Sequence, residues 1–398
     1  MYENHIKRLK IHRYCVIIIN GERIKSLPLQ MRMEIAMKTA LEYGIMGCET
    51  IMRTTDASDL KPLGHWHYHQ GVFLSGMEHI YALCSKEQLA KYIKDYVDSR
   101  IRPDGTIDHY SRDMLDDMQP GILLFRLIDE TGDEKYKIAL DTIMDHLKNW
   151  SCNPDGGYWH RLSGHGQNEM WLDSLYMGCP VQAMYAKRYD KPELFDTVVG
   201  QAVLMREKMT DKNNRLLRHA WNYYGAAPWC DPETGLSSVA WGRAIGWYVT
   251  AVLDIYQNMP EDHPKRAVLA TIEREIIDTL IRYRDRDTYM WHQVVNMPKM
   301  PDNWLESSCS CLFTYAMARG ARLGILDEKY IERAKESFRG IITHSVDIWR
   351  DNLIVERVCV GTGVGEYSHY VNRPTASNDL HGIGVFLLMC GEMAKHGI

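Results

Sequence analysis

The chain has 398 residues, of which 45% are hydrophobic and 25% are charged, the balance of a globular protein with a sizeable core. Its 47 Lys and Arg against 52 Asp and Glu give a formal net charge of −5. This charge gives no electrostatic reason to expect nucleic acid or an anionic membrane as a partner. No segment approaches the roughly 20 apolar residues that span a bilayer.

The aromatic and thiol residues narrow the class of protein further. Eleven Trp and 23 Tyr against six Phe suit hydroxylated ligands such as sugars as well as ordinary core packing. The apolar run at residues 15–19 is too short for a signal peptide, and the ten cysteines are scattered without the spacing of a zinc site. We therefore expect reduced thiols and a cytoplasmic protein.

A unit of two helices recurs along the chain: an apolar helix rich in Gly and Ala, a short turn, and a charged amphipathic helix. The apolar helices are predicted to begin near Gly71, Gly121, Leu175, Ala244, Cys311 and Gly382. Charged helices with one apolar stripe lie between them, and the segment at residues 29–54 supplies the sixth.

Six apolar and six charged helices predict an all-α fold, an (α/α)6 barrel with a fully packed inner ring and a half-exposed outer ring. A solenoid is the competing architecture. We assign residues 29–398 to one catalytic barrel domain and residues 1–28 to an N-terminal extension.

Five connectors open with a short strand-like run, and four of these runs carry a histidine at the same point of the unit. These histidines are predicted to face one rim of the barrel, where loops carry function. They are His109, His160, His219 and His292. The fifth run, LIVERV, carries Arg357 instead.

Asp173, in MWLDSLYMG, stands where a connector enters an apolar helix. One interpretation is a helix N-cap. The other is a proton-transfer residue, because the apolar wall of Met170, Trp171 and Leu172 would raise the pKa of its carboxyl. A second carboxylate, Asp116 or Asp117, precedes the helix before it, and a barrel would place that group beside Asp173 for acid–base chemistry.

A third cluster is Trp241-x-Arg243-x-x-x-Trp247, in which Arg243 and Trp247 share a helix face. Arg243 could grip a substrate carboxylate while an indole stacks on a sugar, or it could stack on a core Trp. His65, His67 and His69 alternate as strand ligands to a metal would, but they run directly into a helix, so we predict no metal site there. The Gly-rich stretch from Gly361 fails the dinucleotide-binding pattern.

Seven motifs in order resemble the unsaturated rhamnogalacturonyl hydrolases, glycoside hydrolase family 105, and more distantly the unsaturated glucuronyl hydrolases of family 88. The motifs are W-H-Y-x-x-G from Trp66, L-D-x-M-x-P-G from Leu115, G-G-Y-W-H-R from Gly156, M-W-L-D-S-L-Y-M from Met170, W-G-R-A-I-G-W from Trp241, N-W-L-E-S-S from Asn303 and N-R-P-T-x-x-N-D-L-H-G-x-G from Asn372. The resemblance runs from about Met31 to the C-terminus.

The resemblance implies an (α/α)6 barrel without a metal or organic cofactor, with Asp173 as general acid/base and Asp116 as its carboxylate partner. It implies a small unsaturated oligosaccharide as substrate, hydrated at the C4=C5 double bond of its terminal uronic acid. The residues expected around that sugar are Trp66, His160, Arg161, His219, Trp241, Arg243, Trp247 and His381.

Two alternatives stay open at this stage: a sugar 2-epimerase-type isomerase on the same barrel, and a non-enzymatic helical scaffold. The stretch at residues 163–169 is longer than is usual in the family. That stretch and the loop at residues 358–372 are expected to set substrate preference, whether galacturonyl or glucuronyl and whether the released sugar is rhamnose. The oligomeric state is not indicated.

Overall fold

The computed structural model describes residues 38–164 and 166–398. The predicted N-terminal extension and the predicted helix start at residue 29 lie outside the described residues, so these two predictions stay open.

Six apolar helices form an inner ring, and each begins within a few residues of its predicted start. Most of their residues are buried, and in the fourth every residue from Gly242 to Leu253 is buried. The second is the least enclosed, and its last three residues are exposed. The inner helices are Tyr68–Cys84, Ile122–Thr131, Asp173–Tyr189, Gly242–Asn258, Ser307–Arg322 and Leu380–Lys395.

Six amphipathic helices form the outer ring, each with one buried stripe and one solvated face. The first has a complete capping box, in which Thr39 Oγ1 accepts from the Glu42 N–H at 3.2 Å and the Glu42 carboxylate accepts from the Thr39 N–H at 2.7 Å. The outer helices are Ala40–Thr54, Glu87–Asp98, Glu134–Lys148, Glu193–Met209, Arg266–Leu280 and Lys329–Ser345.

The inner ring closes because its last helix, Leu380–Lys395, packs against its first, Tyr68–Cys84. A Cβ on Gly76 would lie 2.5 Å from the Gly384 carbonyl oxygen, so this close crossing requires glycine. The outer helix Ala40–Thr54 packs on the last inner helix and completes the outer ring. The (α/α)6 barrel is thus confirmed, and the solenoid alternative is wrong.

Each outer helix returns the chain, so all six inner helices run in the same direction and begin at the same end of the barrel. The connectors at that end hold four two-stranded antiparallel sheets and one short helix. These are Glu169–Trp171 with Ala220–Asn222, Trp291–His292 with Leu305–Glu306, Val346–Trp349 with Asn352–Val355, Val358–Cys359 with Thr375–Ala376, and the helix Tyr367–Val371.

Short 3-10 turns complete the connectors, and one of them, Leu115–Asp117, carries the predicted second carboxylate. The other 3-10 turns are Ala57–Asp59, Gln119–Gly121 and Ile281–Tyr283. Of the helices in the described residues, none is both long enough and apolar enough to cross a membrane.

Candidate active site

A cavity of about 300 Å³ lies at the end of the barrel where the inner helices begin. Two inner-helix starts, two connectors and the loop after residue 360 form its wall. The lining residues are His67, Tyr68, His69, Asp116, His160, Arg161, Trp171, Asp173, Met177, Gly361, Thr362 and Gly363. The cavity therefore brings together both predicted carboxylates and two more of the predicted substrate-binding residues.

Asp173 is the first residue of its inner helix, and the N-cap position is occupied by Leu172. The N-cap interpretation is therefore wrong. The residue is 8% exposed, and Oδ2 lies 3.2 Å from Nε2 of His219. Burial alone would raise the pKa of Asp173, but His219, His160 and Arg243 outweigh it and lower that pKa below its usual value. The expectation of a raised pKa from the apolar wall is wrong, because polar groups on neighbouring elements face the carboxylate.

His219 connects Asp173 to a tyrosine that the sequence did not single out. The hydroxyl of Tyr370 lies 2.6 Å from Nδ1 of His219 and accepts from the Gly365 N–H at 3.3 Å. The ionised Asp173 carboxylate can only accept, so the proton of neutral His219 lies on Nε2, toward Asp173, and the Tyr370 hydroxyl donates to Nδ1. Tyr370 therefore supports this tautomer of His219. Only its place two residues before N-R-P-T could have drawn attention to it.

Asp116, and not Asp117, is the second carboxylate of the cavity. Its oxygens lie 3.7 Å from Nε2 of His67 and 3.8 Å from Nε2 of His160. Burial, with the nearby charge of Asp173, raises the pKa of Asp116 to about 7. Asp117 instead accepts from the Ser111 N–H at 2.8 Å and is 3% exposed.

His160 lies flat against Trp171, with ring centroids 4.0 Å apart and planes 14° from parallel. Its Nδ1 lies 3.1 Å from the hydroxyl of Ser174, and burial lowers the pKa of His160 to about 3. Trp171 is itself anchored, because its Nε1 donates to Glu169 at 2.7 Å. The structure thus places Trp171, which the sequence treated only as part of an apolar wall, in direct contact with the cavity.

Arg243 is 1% exposed and donates to the carbonyl oxygens of Cys359 at 2.5 Å and Val360 at 2.8 Å. Its guanidinium also lies 4.4 Å from the ring centre of Trp241. Of the two alternatives drawn from the sequence, the stacking on a core tryptophan is confirmed. Binding of a substrate carboxylate stays a prediction, and the guanidinium holds the loop that forms the far wall of the cavity. Arg373 supports the same loop by donating to the Gly361 carbonyl oxygen and to Thr362 Oγ1.

The three predicted tryptophans lie behind the cavity wall. Trp247 stacks on Tyr176 with centroids 4.8 Å apart and meets Tyr68 edge-on. Trp241 packs on His219 at 4.6 Å, with its Nε1 donating to Gln293. Trp66 is fully buried and packs parallel to Tyr96. These indoles support the groups that face the cavity.

Of the four histidines predicted to share a rim, the structure brings two together. His160 and His219 flank the carboxylates, whereas His109 is exposed and lies beside His65. His292 is half-buried near Asp285, on a different connector. His109 and His292 lie on connectors at the predicted rim but do not line this cavity, because equal positions in the repeat place residues around the rim without pointing every side chain inward.

Arg161 presents a guanidinium to the cavity, with Nη2 3.8 Å from the sulfur of Met114. In the described part of the chain, no carboxylate forms an ion pair with Arg161. Its charge opposes the effect of burial on the pKa of Asp116. Arg161 is the cavity's available cation.

A second cavity of about 520 Å³ adjoins the first and shares Trp171 and Gly363 with it. Glu169 accepts from the indoles of both Trp171 and Trp229, and so fixes two aromatic walls of this outer cleft. Residues of the two loops expected to set specificity line it. These are Gly166, Glu169, Gly363, Val364, Gly365, Glu366 and His369.

The model of Glycosyl Hydrolase Family 88 matches residues 46–396. Among solved structures, a family 105 glycoside hydrolase from C. acetobutylicum is 31% identical, with a TM-score of 0.84 over 89% of this chain and 99% of that one. An unsaturated glucuronyl hydrolase specific for heparin shares the fold, at 14% identity and a TM-score of 0.69 over 90% and 96% of the two chains.

Two proteins related in sequence also match this chain. Unsaturated rhamnogalacturonyl hydrolase YesR of Bacillus subtilis is 21% identical over 335 residues, 83% of this chain and 90% of the relative. Protein Atu3128 of Agrobacterium fabrum is 26% identical over 230 residues, 54% of this chain and 97% of the relative. These matches confirm the predicted resemblance, and they favour a hydrolase over the epimerase and scaffold alternatives.

Proposed function

Because this chain belongs to glycosyl hydrolase family 88 and is a glycoside hydrolase, we propose that it hydrates the C4=C5 double bond of a terminal unsaturated uronic acid. One observation carries the proposal. Two largely enclosed carboxyls with pKa values shifted in opposite directions, Asp116 and Asp173, share one cavity. Such a pair can hold one proton between its members near neutral pH and pass it to a substrate.

The proposed chemistry begins with a proton delivered from Asp173 to C4 of the vinyl ether. Positive charge then develops at C5 and the ring oxygen, and water adds at C5 while its proton passes to the Asp173 carboxylate. The resulting hemiketal opens and releases the next sugar, so no bond to the anomeric carbon is attacked directly. One aspartate can therefore donate and accept in turn, unlike the paired carboxylates of ordinary glycosidases.

In the empty site the proton resides on Asp116, because the pKa of Asp116 is about 7 and that of Asp173 is lowered. A bound uronate brings a negative charge and expels water, and both effects raise the pKa of Asp173. We propose that substrate entry moves the proton to Asp173 and so prepares the acid. His219, held by Tyr370, then stabilises the Asp173 carboxylate when it forms again.

Arg161 is proposed to bind the uronate carboxylate, because it offers a cation to the cavity while the donors of Arg243 are engaged by backbone carbonyls. A guanidinium matches a carboxylate with two parallel hydrogen bonds. The six inner helices also begin at this end, and the partial positive charge of helix N-termini favours an anion there. Both features suit an acidic sugar.

The outer cleft is proposed to hold the sugar that is released. Trp171 and Trp229 offer apolar faces, and no Lys or Arg is among the described residues that line it. A neutral sugar fits this composition better than a sulfated or acidic one. Together with the relative named as a rhamnogalacturonyl hydrolase, this supports rhamnose as the released sugar. The nine cysteines in the described residues are all free thiols, which supports a cytoplasmic location.

The test is an assay of purified protein on an unsaturated galacturonyl-rhamnose disaccharide prepared with a polysaccharide lyase. The absorbance of the conjugated double bond should fall, and rhamnose should appear in equal amount. The saturated disaccharide of the same sugars is the matched control and should stay intact. Release of rhamnose from the saturated control at a similar rate would overturn hydration as the mechanism.

A further inference from the structure

His219 is a base within direct reach of the acid that the proposed reaction needs. Its Nε2 lies 3.2 Å from Oδ2 of Asp173, and the two residues are 0% and 8% exposed. A free imidazolium loses its proton at about pH 6.5 and a free aspartic acid at about pH 4, so a proton shared by the two ordinarily resides on the imidazole. An Asp173 carboxylate beside an imidazolium has no proton to give to C4 of a substrate.

The neighbouring histidines do not compete for this proton. Burial lowers the pKa of His160 to about 3, and burial with the charge of Arg373 lowers the pKa of His369, so both rings are neutral at physiological pH. His219 is therefore the base that competes with Asp173. The other charged or titratable groups that act on Asp173 or on Tyr370, which contacts His219, are Arg243, Asp116, Glu169 and Cys359.

Tyr370 covers the opposite side of the His219 ring. Its hydroxyl lies 2.6 Å from Nδ1 of His219, and the residue is fully buried. Gln293 donates to the Tyr370 carbonyl oxygen at 3.2 Å, and the Gly365 N–H donates to the hydroxyl at 3.3 Å. Burial raises the pKa of Tyr370, so the hydroxyl keeps its proton and can donate it to Nδ1. The short helix Tyr367–Val371 therefore holds a donor against the His219 ring.

This donor makes a second proton on His219 costly. The Nε2 proton points to Asp173, so an imidazolium would carry its additional proton on Nδ1, in the place of the proton that Tyr370 donates. The Tyr370 hydroxyl would then have to accept, and its own hydrogen would need another acceptor. Within the described residues its other hydrogen bond is to the Gly365 N–H, which can only donate. A buried donor left unpaired disfavours the imidazolium by roughly tenfold to a hundredfold.

We propose that Tyr370 is a positioning residue that keeps His219 neutral, so that the proton needed at C4 stays on Asp173. Tyr370 is not among the described residues that line either cavity at this end of the barrel, so it acts through the imidazole. Its part in proton transfer rests on the proposed hydration of the double bond, whereas its effect on the state of His219 does not.

NMR of the full chain with labelled histidines tests the state of His219 without substrate, and His219→Gln assigns the signals. In the wild type at pH 7.5 the imidazole hydrogen should lie on Nε2. In Tyr370→Phe the pH at which the ring takes up its second proton should rise by about one to two pH units. Tyr248→Phe is the matched control, because Tyr248 is also fully buried and donates to the Ala202 carbonyl oxygen at 2.6 Å. It should leave this titration unchanged.

Steady-state rates on an unsaturated disaccharide at pH 7 give a second measurement. In Tyr370→Phe kcat should fall by about tenfold or more with KM within about threefold of the wild type, because the proton passes to the imidazole. Tyr248→Phe should keep both constants near those of the wild type. Circular dichroism checks that each variant is folded.

A hydrogen on Nδ1 of His219 in the wild type would overturn the proposal without recourse to any variant. An unchanged His219 titration in folded Tyr370→Phe would overturn it as well. A shifted titration in a protein that turns over no unsaturated disaccharide would refute hydration and leave the effect of Tyr370 on His219 in place. Turnover with an unshifted titration would refute the role of Tyr370 alone.

Discussion

Both ends of the barrel enclose carboxyl groups, but the carboxyls have different partners at the two ends. At the end where the inner helices finish, a cavity of about 230 Å³ contains Glu78, Asp254, Arg319 and other polar residues. Asp254 pairs with Arg319 at 2.5 Å, and Glu78 with Arg126 at 2.9 Å. At the opposite end, Asp116 and Asp173 face histidines at 3.2–3.8 Å.

The comparison teaches that a shifted pKa does not by itself identify a reactive carboxyl. Burial raises the pKa of Glu78 to about 7, the same value as for Asp116. The partners make the difference, because an arginine stays charged at every physiological pH and cannot exchange a proton with its carboxylate. A neutral histidine can give or take a proton, so carboxyls beside it remain free to titrate.

Replacement of Asp173 should have the largest effect and tests most directly whether the carboxyls at the two ends of the barrel differ in function. Asp173→Asn should lower kcat on an unsaturated disaccharide by about 10²–10⁴-fold or more, because a carboxamide cannot transfer the proton. Its free energy of unfolding should stay near that of the wild type. Steady-state absorbance assays and urea denaturation measure both. Near-normal turnover by the folded variant would show that Asp173 is not the proton-transfer residue.

Substitutions at the opposite end of the barrel should lower the free energy of unfolding and leave kcat unchanged. Arg319→Met leaves Asp254 buried without its cation, which should cost about 3–5 kcal/mol of unfolding free energy. Lys91→Met, at an exposed pair with Asp95, is the control and should change stability by about 0.5 kcal/mol or less. Urea denaturation measures both variants. A selective loss of kcat with unchanged stability in Arg319→Met would contradict the division between the two ends.

The raised pKa of Asp116 predicts a stability that depends on pH. The folded protein keeps this proton up to about pH 7, whereas an unfolded Asp loses it near pH 4. The fold therefore loses stability as the pH rises through that interval, because only the unfolded chain releases the proton there. Asp116→Asn removes this cost and should stabilise the protein at pH 8 by up to about 4 kcal/mol.

The gain should shrink at pH 5, where the wild-type Asp116 is protonated in the fold and costs less. Urea denaturation at both pH values measures the difference. Asp95→Asn, a change at an exposed carboxylate, is the control and should show little dependence on pH. An equal effect of Asp116→Asn at pH 5 and pH 8 would show that Asp116 is not held protonated.

Arg161 is predicted to give a smaller, substrate-specific effect. Arg161→Gln removes a charged hydrogen bond to the uronate, worth about 1.5–3 kcal/mol, so KM should rise roughly 10–150-fold with kcat changed much less. Arg215→Gln, at an arginine that is 56% exposed in its ion pair with Glu275, is the control and should leave both constants unchanged. A loss confined to kcat would mean that Arg161 acts in proton transfer and not in uronate binding.

The helices were predictable from the sequence because each carries its own signal. An inner helix is apolar on all sides and an outer helix on one stripe, so the number and order of helices follow from local patterns. Asp173 was also recognisable, through M-W-L-D-S-L-Y-M and its place at a helix entry. Closure of the inner ring was harder to predict from local sequence patterns, because the contact between Gly76 and Gly384 joins parts of the chain 308 residues apart.

Tertiary contacts decided the protonation state of the residues in the cavity. The apolar neighbours of Asp173 in sequence predicted a raised pKa, but His219 approaches from another connector and lowers it. Tyr370 contacts Nδ1 of His219 from 151 residues away, and Arg243 is held by the loop carbonyls it supports. The sequence by itself determined which elements form and where the carboxyls enter the barrel, because these depend on neighbours along the helix. Only the folded ring decided which carboxyl holds the proton, because solvation and charge depend on neighbours in space.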